Sequence, residues 1–189
     1  MAQGNFEPCF GFTLGEEGRY SGIASDPGNW SSGEVGVGVL IGTCWGISAP
    51  VLLDWVGPGN AANITADYMR NLSVDTAKAI YLRDYWNKVR GDDLPLGLDL
   101  AVWDFGVNAG VRRSIEELQK AIGVQMDGDL GPVSMAAIPA FSITDLINDL
   151  IDWHDYFYRN ERNFATFGEQ WLNRQKRLRA ASLAMAAGS

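Results

Sequence analysis

The chain has few of the residues that most often bind zinc or serve as nucleophile and base, with one histidine and two cysteines in 189 residues. Zinc amidases and peptidases usually use two or more histidines, so this scarcity argues against a zinc enzyme. A Ser-His-Asp or Cys-His hydrolase would depend on His154 itself. That residue continues an apolar helical stripe, which favours a core histidine over a catalytic base. The stripe comprises Ile143, Leu146, Ile147, Leu150 and Ile151. We therefore expect carboxylate chemistry, with no metal and no cofactor.

The chain also lacks a basic excess and a long apolar segment. Its formal net charge is −8 at pH 7, which argues against a nucleic-acid partner. No run of about 18 apolar residues is present, so we expect no stable membrane insertion. The first residues do not combine a basic region with an apolar run, so we expect no signal peptide and accumulation in the cytoplasm. Cys9 and Cys44 are expected to be free and buried, with a single disulfide bridge as the alternative.

A Gly- and Ser-rich segment, residues 18–48, is followed by mainly helical patterns. Within that segment, Val35, Val37 and Val39 alternate with glycines, which predicts a short strand or hairpin. Residues 54–62 read as a loop. Apolar spacing and capping residues predict helices over 6–17, 64–71, 73–89, 95–108, 112–122, 142–158 and 168–185, with a helix restart at Pro132. The predicted fold class is α+β, mainly α, with a small β-hairpin lobe joined to a helical lobe.

Glu17 extends the apolar face of the first predicted helix. At helical spacing it follows a stripe that comprises Phe6, Cys9, Phe10, Thr13 and Leu14. Its neighbour Glu16 points about 100° away, toward solvent. Burial against apolar groups raises the pKa of a carboxyl, which is the property that the acid of a glycosidase needs. On the stripe alone, a helix-end glutamate without a catalytic role is the favoured interpretation.

Several short segments follow one another in the order of a known family pattern. Glu17-Gly18-Arg19-Tyr20 precedes Asp26-Pro27 and then Gly42-Thr43-Cys44-Trp45-Gly46-Ile47-Ser48. Later segments in the same order are 103–110, 118–124, 126–132 and 167–174. Together they resemble glycoside hydrolase family 108, the lysozyme-like endolysins and secretion-activating proteins, with its C-terminal peptidoglycan-binding region. The chain departs from the pattern at Arg19, Ser25 and Ser48, and in a longer connection over residues 29–41.

The resemblance implies a lysozyme-like fold with a groove between the lobes. It implies a catalytic region over residues 1–92 and a helical peptidoglycan-binding region over residues 93–189, packed as one compact unit. The implied partners are peptidoglycan glycan strands, and we expect a monomer. A phage lysin of this kind would accumulate in the host bacterial cytoplasm and reach the periplasm and wall at lysis through holin pores.

The implied reaction is hydrolysis of the β-1,4 bond between N-acetylmuramic acid and N-acetylglucosamine. Glu17 would donate a proton to the leaving oxygen, and Asp26 would stabilise the oxocarbenium-like state or activate or replace water. Thr43 would hold the attacking water. Glu34, in the longer connection, is the alternative second carboxylate. Further substrate-binding candidates are Tyr20, Trp30, Trp45, Asp104 and Asn108, although hydrophobic packing is an equally favoured role for the aromatic residues.

Two other functions remain open at this point. A lytic transglycosylase would act on the same bond with one glutamate and would yield a 1,6-anhydro product. A non-catalytic wall-binding or phage structural protein on a lysozyme-like scaffold is the other alternative, and the altered connection near Asp26 is its support.

Overall fold

The computed structural model describes residues 4–16 and 19–188, so the predicted acid Glu17 lies outside the described residues. Nine α-helices occur in this described part of the chain. They are α1 (Phe6–Glu16), α2 (Ala49–Val56), α3 (Ala66–Arg70), α4 (Val74–Tyr81), α5 (Leu98–Ala109), α6 (Val111–Ala121), α7 (Pro132–Ala137), α8 (Ile143–Arg159) and α9 (Phe164–Ala187). Helix α4 continues into a π-helical turn over Leu82–Trp86. None of the described helices is both long enough and apolar enough to cross a bilayer.

The chain divides into two compact units. One unit is formed by residues 10–81, and the other joins residues 1–9 to residues 82–189. The predicted border between residues 92 and 93 separates a catalytic region from a peptidoglycan-binding region, and it remains a prediction.

Helix α5 forms the centre of the unit that contains residues 82–189. All residues from Leu98 to Gly106 are buried, which requires a helix that is apolar around nearly its whole circumference. Helices α6, α8 and α9 pack against it. Trp103 contacts the rings of Trp86 and Phe6 edge-on, with centroid separations of 5.8 and 6.0 Å. Each of these large buried side chains contributes roughly 1.5–3 kcal/mol to folding.

The predicted apolar stripe of α1 is confirmed over the described residues. Phe6, Cys9, Phe10 and Thr13 are buried, and Leu14 is half-buried. Cys9 and Cys44 are buried and free, as the favoured interpretation expected. Burial raises the pKa of both thiols, so neither is a reactive thiolate at neutral pH.

His154 is a core residue, as its position on the stripe of α8 predicted. It is 1% exposed, and its ring stacks on Phe105 with centroids 3.9 Å apart. Its Nδ1 lies 3.3 Å from Oε1 of Gln175. Burial lowers the pKa of His154 to about 3, so the imidazole is neutral at physiological pH and serves packing.

Asp99 is a fully buried carboxylate at the start of α5. It accepts hydrogen bonds from the amides of Gly97 and Leu100 at 2.8 and 2.7 Å and from Nδ2 of Asn5 at 2.6 Å. Burial raises the pKa of Asp99 from 3.8 to about 6, and the hydrogen bond from Asn5 partly opposes this shift. Asp99 therefore links the first residues of the chain to the central helix.

The raised pKa of Asp99 predicts a specific pH dependence of stability. Because the folded state holds the proton of Asp99 more tightly, its contribution is fully present below pH 3.8 and is lost as pH rises through about 6. The loss amounts to about 3 kcal/mol in the free energy of unfolding. Urea unfolding of Asp99→Asn should show this variant gaining stability relative to wild type between pH 4 and pH 7. Parallel pH profiles for the two proteins would contradict the assignment.

The predicted β-hairpin is wrong for the described residues. Extended pairing in residues 4–16 and 19–188 is limited to three isolated antiparallel bridges, Ser21 with Thr43, Trp30 with Leu40, and Cys44 with Ile47. Between residues 30 and 40 the chain makes successive turns, because Gly36 and Gly38 take left-handed φ angles of 79° and 78°. Val35, Val37 and Val39 are consequently exposed. The Val-Gly alternation thus marks a turning loop.

Helix α2 was not predicted, and the predicted loop over 54–62 is wrong at its start because α2 extends to Val56. This helix was not predicted because Pro50 lies in its first turn. Proline is tolerated there since the first helical amides have no partner within the helix. Ser48 is the N-cap residue and Gly57 ends the helix with a φ of 75°.

Candidate active site

Two of the predicted catalytic residues meet on either side of Gly28, within the unit of residues 10–81. Oδ1 of Asp26 accepts a hydrogen bond from the Gly28 amide at 2.9 Å. Oγ1 of Thr43 lies 3.5 Å from the Gly28 carbonyl oxygen, a long contact for a hydroxyl donor. A Cβ atom at Gly28 would lie 3.3 Å from Oδ1 of Asp26 and 3.9 Å from Oγ1 of Thr43. The fold therefore brings together a carboxylate and a hydroxyl that are far apart in sequence.

The loop that carries Asp26 is held by Asn29. Asn29 is completely buried, and its Nδ2 donates to the Ile23 carbonyl at 2.9 Å. The backbone carbonyl oxygen of Asn29 accepts hydrogen bonds from the amides of Ile41 and Gly42, both at 2.9 Å. Asp26 itself is exposed and begins the short 3-10 turn Pro27–Asn29. Asn29 thus ties the Asp26 turn to the segment that leads into Thr43.

The segment that contains Thr43 is built from a backbone bridge and a tight turn. Thr43 and Ser21 exchange two backbone hydrogen bonds of 2.8 Å. Cys44 and Ile47 then close a turn whose central residues, Trp45 and Gly46, have φ angles of 53° and 73°. Two positive φ angles are typical of a type I′ turn, and they explain the glycine at position 46.

Trp45 adopts its left-handed conformation because several contacts hold it there. Its Nε1 donates to the Leu72 carbonyl at 2.9 Å, and its own carbonyl accepts from the Tyr81 hydroxyl at 3.0 Å. The Arg19 guanidinium lies 5.0 Å from the centroid of the Trp45 ring. Arg19 is the residue that replaces the second glycine of the family motif, so this cation–π pair is a consequence of that departure.

Tyr20 also carries a guanidinium group over its ring. The hydroxyl donates to the Ile41 carbonyl at 3.3 Å, and the Arg70 guanidinium lies 4.5 Å from the ring centroid. Gly42 packs so tightly here that a Cβ atom would meet the Tyr20 ring and lie 2.7 Å from the Ser21 carbonyl oxygen. Packing against glycine therefore orients the Tyr20 ring.

Trp30 and Glu34 belong to the longer connection. Trp30 is half-buried, and its Nε1 donates to the Ala24 carbonyl at 2.8 Å. Glu34 is exposed in the turning loop, where its amide donates to Oγ of Ser32 at 3.0 Å. Asp26 contacts Gly28, whereas the backbone of Glu34 contacts Ser32 and Val37 in its own loop.

Asp104 and Asn108 lie on α5, in the other compact unit. The side chain of Asp104 has 0% exposure, and its carboxylate receives Nη2 and Nε of Arg174 at 2.8 and 3.3 Å. Asn108 is exposed, and its Nδ2 donates to the Asp104 carbonyl at 2.6 Å. A buried carboxylate in this bidentate pair joins α5 to α9, and a substrate would reach it only if Arg174 moved away.

Ser48, Arg19 and Arg70 were not predicted as site residues. The Cβ atom of Ser48 lies 3.5 Å from the position of a Cβ on Gly28, and the Ser48 side chain makes no capping hydrogen bond to α2. The family motif already contained a signal for Ser48, because it replaces the final threonine. Within residues 4–16 and 19–188, no three His, Cys, Asp or Glu side chains are grouped so as to hold a metal ion.

Comparisons with known proteins give one consistent result. The profile of glycosyl hydrolase 108 matches residues 10–110. Among solved structures, SagA of Brucella abortus is similar, with a TM-score of 0.82 and 33% sequence identity. That match covers 98% of this chain and 97% of SagA. No curated protein sequence matches the chain with significance.

The profile match includes Asp26, Thr43 and Ser48, together with the turn that holds Trp45. It covers more than half of the chain, and the likeness to SagA extends over nearly the whole length of both proteins. The protein is therefore a member of glycosyl hydrolase family 108, a family of glycoside hydrolases.

Proposed function

We propose that this protein is a muramidase that hydrolyses the β-1,4 bond between N-acetylmuramic acid and N-acetylglucosamine in peptidoglycan. The observation that carries the proposal is the meeting of Asp26 and Thr43 at Gly28, inside the segment that matches the glycoside hydrolase profile. Glycosidases need a carboxylate and a positioned water on one side of the bond and an acid on the other. In this proposal the loop around Gly28 provides the carboxylate of Asp26, and the hydroxyl of Thr43 beside it would position the water.

Glu17 is the proposed general acid. It directly follows α1, whose apolar face is buried at Phe10 and Thr13. An apolar surrounding disfavours the ionised carboxylate, so the group would keep its proton near neutral pH and donate it to the leaving oxygen.

Asp26 and Thr43 are proposed to act on the opposite face of the sugar. The exposed carboxylate of Asp26 can stabilise the oxocarbenium-like transition state or activate water. Thr43 makes only a long contact to the Gly28 carbonyl, 3.5 Å, so its hydroxyl can exchange this contact for a water molecule. Ser48, whose Cβ also lies next to Gly28, is proposed to offer a second hydroxyl to the same water.

Product analysis of a peptidoglycan digest tests the proposal. The purified protein is incubated with sacculi, and the released muropeptides are weighed by mass spectrometry. A muramidase yields reducing-end N-acetylmuramic acid. Products that each lack one water would identify a lytic transglycosylase, and binding to sacculi without any release would identify a non-catalytic wall protein.

Paired substitutions should distinguish the second carboxylate. Asp26→Asn should lower kcat/KM for sacculi by about 10- to 100-fold, because neutral amides stabilise a developing positive charge poorly. Glu34→Gln should stay within about twofold of wild type, as expected for an exposed side chain outside the chemistry. Reducing-end release under identical conditions measures both. The opposite pattern would assign the role to Glu34.

We also propose that the C-terminal helical part contributes to wall binding. Its Asp127-Gly128-Asp129 loop is organised by the buried side chain of Gln119. Nε2 of Gln119 donates to Oδ1 of Asp127 at 2.7 Å, and its Oε1 accepts from the Gly128 amide at 2.9 Å. An ordered surface loop of this kind suits recognition of a rigid polymer.

A further inference from the structure

An open pocket of about 550 Å³ lies in the unit of residues 10–81, next to the bridge that holds Thr43. Tyr20, Ser21, Ile23, Leu40 and Arg70 are among its lining residues, and we call it the Tyr20 pocket. Ser21 is the residue that exchanges both backbone hydrogen bonds with Thr43. The pocket is therefore the immediate neighbour of the candidate catalytic segment.

The Tyr20 pocket contains a positioned cation. The guanidinium of Arg70 lies 4.5 Å from the Tyr20 ring centroid, and its Nη1 donates to Oδ1 of Asp67 at 2.6 Å. The side chain of Arg70 is 51% exposed and that of Asp67 is 86% exposed. An ion pair this accessible is weak, so Asp67 orients Arg70 without neutralising its binding capacity. The Nε and Nη2 edge can present the two parallel donors that a carboxylate accepts.

Arginine guanidinium groups lie over two aromatic rings of this unit that were candidates for binding sugars. Arg70 lies over Tyr20, and Arg19 lies over Trp45. A pyranose could stack on those faces only after displacing a favourable cation–π contact. The surface is thus suited to an anionic group that approaches the guanidinium edges. The glycan backbone of peptidoglycan consists of neutral N-acetyl sugars, and its anionic groups are the carboxylates of the stem peptides.

We propose that the Tyr20 pocket binds a stem-peptide carboxylate, with Arg70 as the specificity-determining residue. This inference rests on the proposed muramidase function, because it needs the glycan to lie beside Thr43. Arg70 donates Nε–H and Nη2–H to the carboxylate, and Ile23, which is 62% exposed, offers apolar surface to the alanine methyl groups of the stem. The enzyme therefore reads the charge of the peptide while it cuts the sugar chain.

The test compares one substrate in two charge states. Native sacculi and sacculi whose carboxylates have been converted to methylamides keep the same glycan and the same cross-links. On native sacculi, Arg70→Gln should raise KM about tenfold with little change in kcat, the size expected for losing one charge-assisted contact in a partly solvated pocket. On amidated sacculi, Arg70→Gln and wild type should be equal. Arg70→Lys, which keeps the charge, should recover part of the difference.

Arg83→Gln is the matched control, because it removes an arginine that is 42% exposed and paired with a neighbouring aspartate, Asp84, at 2.6 Å, outside the Tyr20 pocket and outside the part proposed to bind the wall. It should leave KM unchanged on both substrates. Equal loss of activity by Arg70→Gln on native and amidated sacculi, or no loss on either, would overturn the inference. Absence of cleavage of native sacculi by wild type would instead overturn the muramidase proposal.

Discussion

Replacing Glu17 with glutamine should lower kcat/KM for peptidoglycan hydrolysis by about 10²- to 10⁴-fold, the usual cost of removing a general acid. Glutamine has nearly the same size and shape but cannot donate a proton to the leaving oxygen. The expectation rests on the position of Glu17 directly after α1 and on its place in the family motif, inside the segment that the glycosyl hydrolase 108 profile matches. Loss of turbidity of permeabilised cells and reducing-end release both measure the effect.

Glu16→Gln is the matched control for this experiment, since it removes the carboxylate of the preceding residue. It should retain activity within about twofold of wild type. Urea unfolding of both variants should show that each is folded, so that loss of activity reports on chemistry. Wild-type lysis by folded Glu17→Gln would refute the assignment of the acid.

Breaking the Asp104–Arg174 pair should destabilise the protein by about 3–5 kcal/mol, because one charge would remain buried without its partner. The two side chains are 0% and 12% exposed, and two hydrogen bonds of 2.8 and 3.3 Å join them. Asp104→Asn removes the negative charge at almost constant volume. Urea unfolding at pH 7 gives the change in the free energy of unfolding.

An exposed ion pair of the same unit provides the comparison. Asp152 pairs with Arg179 at 2.6 Å, but its side chain is 73% exposed. Asp152→Asn should therefore cost less than about 1 kcal/mol. If Asp104→Asn were as mild as Asp152→Asn, Asp104 would not be the structural residue that its burial indicates. Its predicted role in substrate binding would then regain support.

Helical periodicity was the most reliable guide along this chain. The stripe of α1 and the stripe that ends at His154 predicted buried faces, and the described residues of both are buried except Leu14 and Ile143, which are half-buried. Such predictions succeed because helix geometry places residues three and four apart on one face, whatever the helix packs against. The loops were harder, since the Val-Gly alternation of residues 35–39 suits either a strand or a series of turns. Helix α2 was missed because Pro50, a residue typical of loops, lies in its first turn.

The candidate site depends on contacts between distant residues that sequence motifs do not predict. Sequence motifs identified Asp26 and Thr43. Their positions next to Gly28 depend on Asn29, whose backbone carbonyl accepts hydrogen bonds from the amides of Ile41 and Gly42. Tyr20 and Trp45 read as stacking surfaces for sugars, whereas the fold places Arg70 and Arg19 over their rings. No sequence pattern predicts that Arg70 contacts Tyr20 or that Arg19 contacts Trp45.

Residue types and their spacing along the chain were sufficient to predict a mainly helical protein and a core histidine, and the resemblance of its motifs indicated the glycoside hydrolase family. These properties follow from short-range rules, namely side-chain periodicity, scarce metal ligands and contiguous motifs. Long-range packing alone decided that Asp104 is buried against Arg174, that Thr43 lies beside Gly28 in the Asp26 turn, and that cations lie over Tyr20 and Trp45. Such contacts join residues that are distant in sequence, and their formation depends on the free energy of the whole fold rather than on any local pattern.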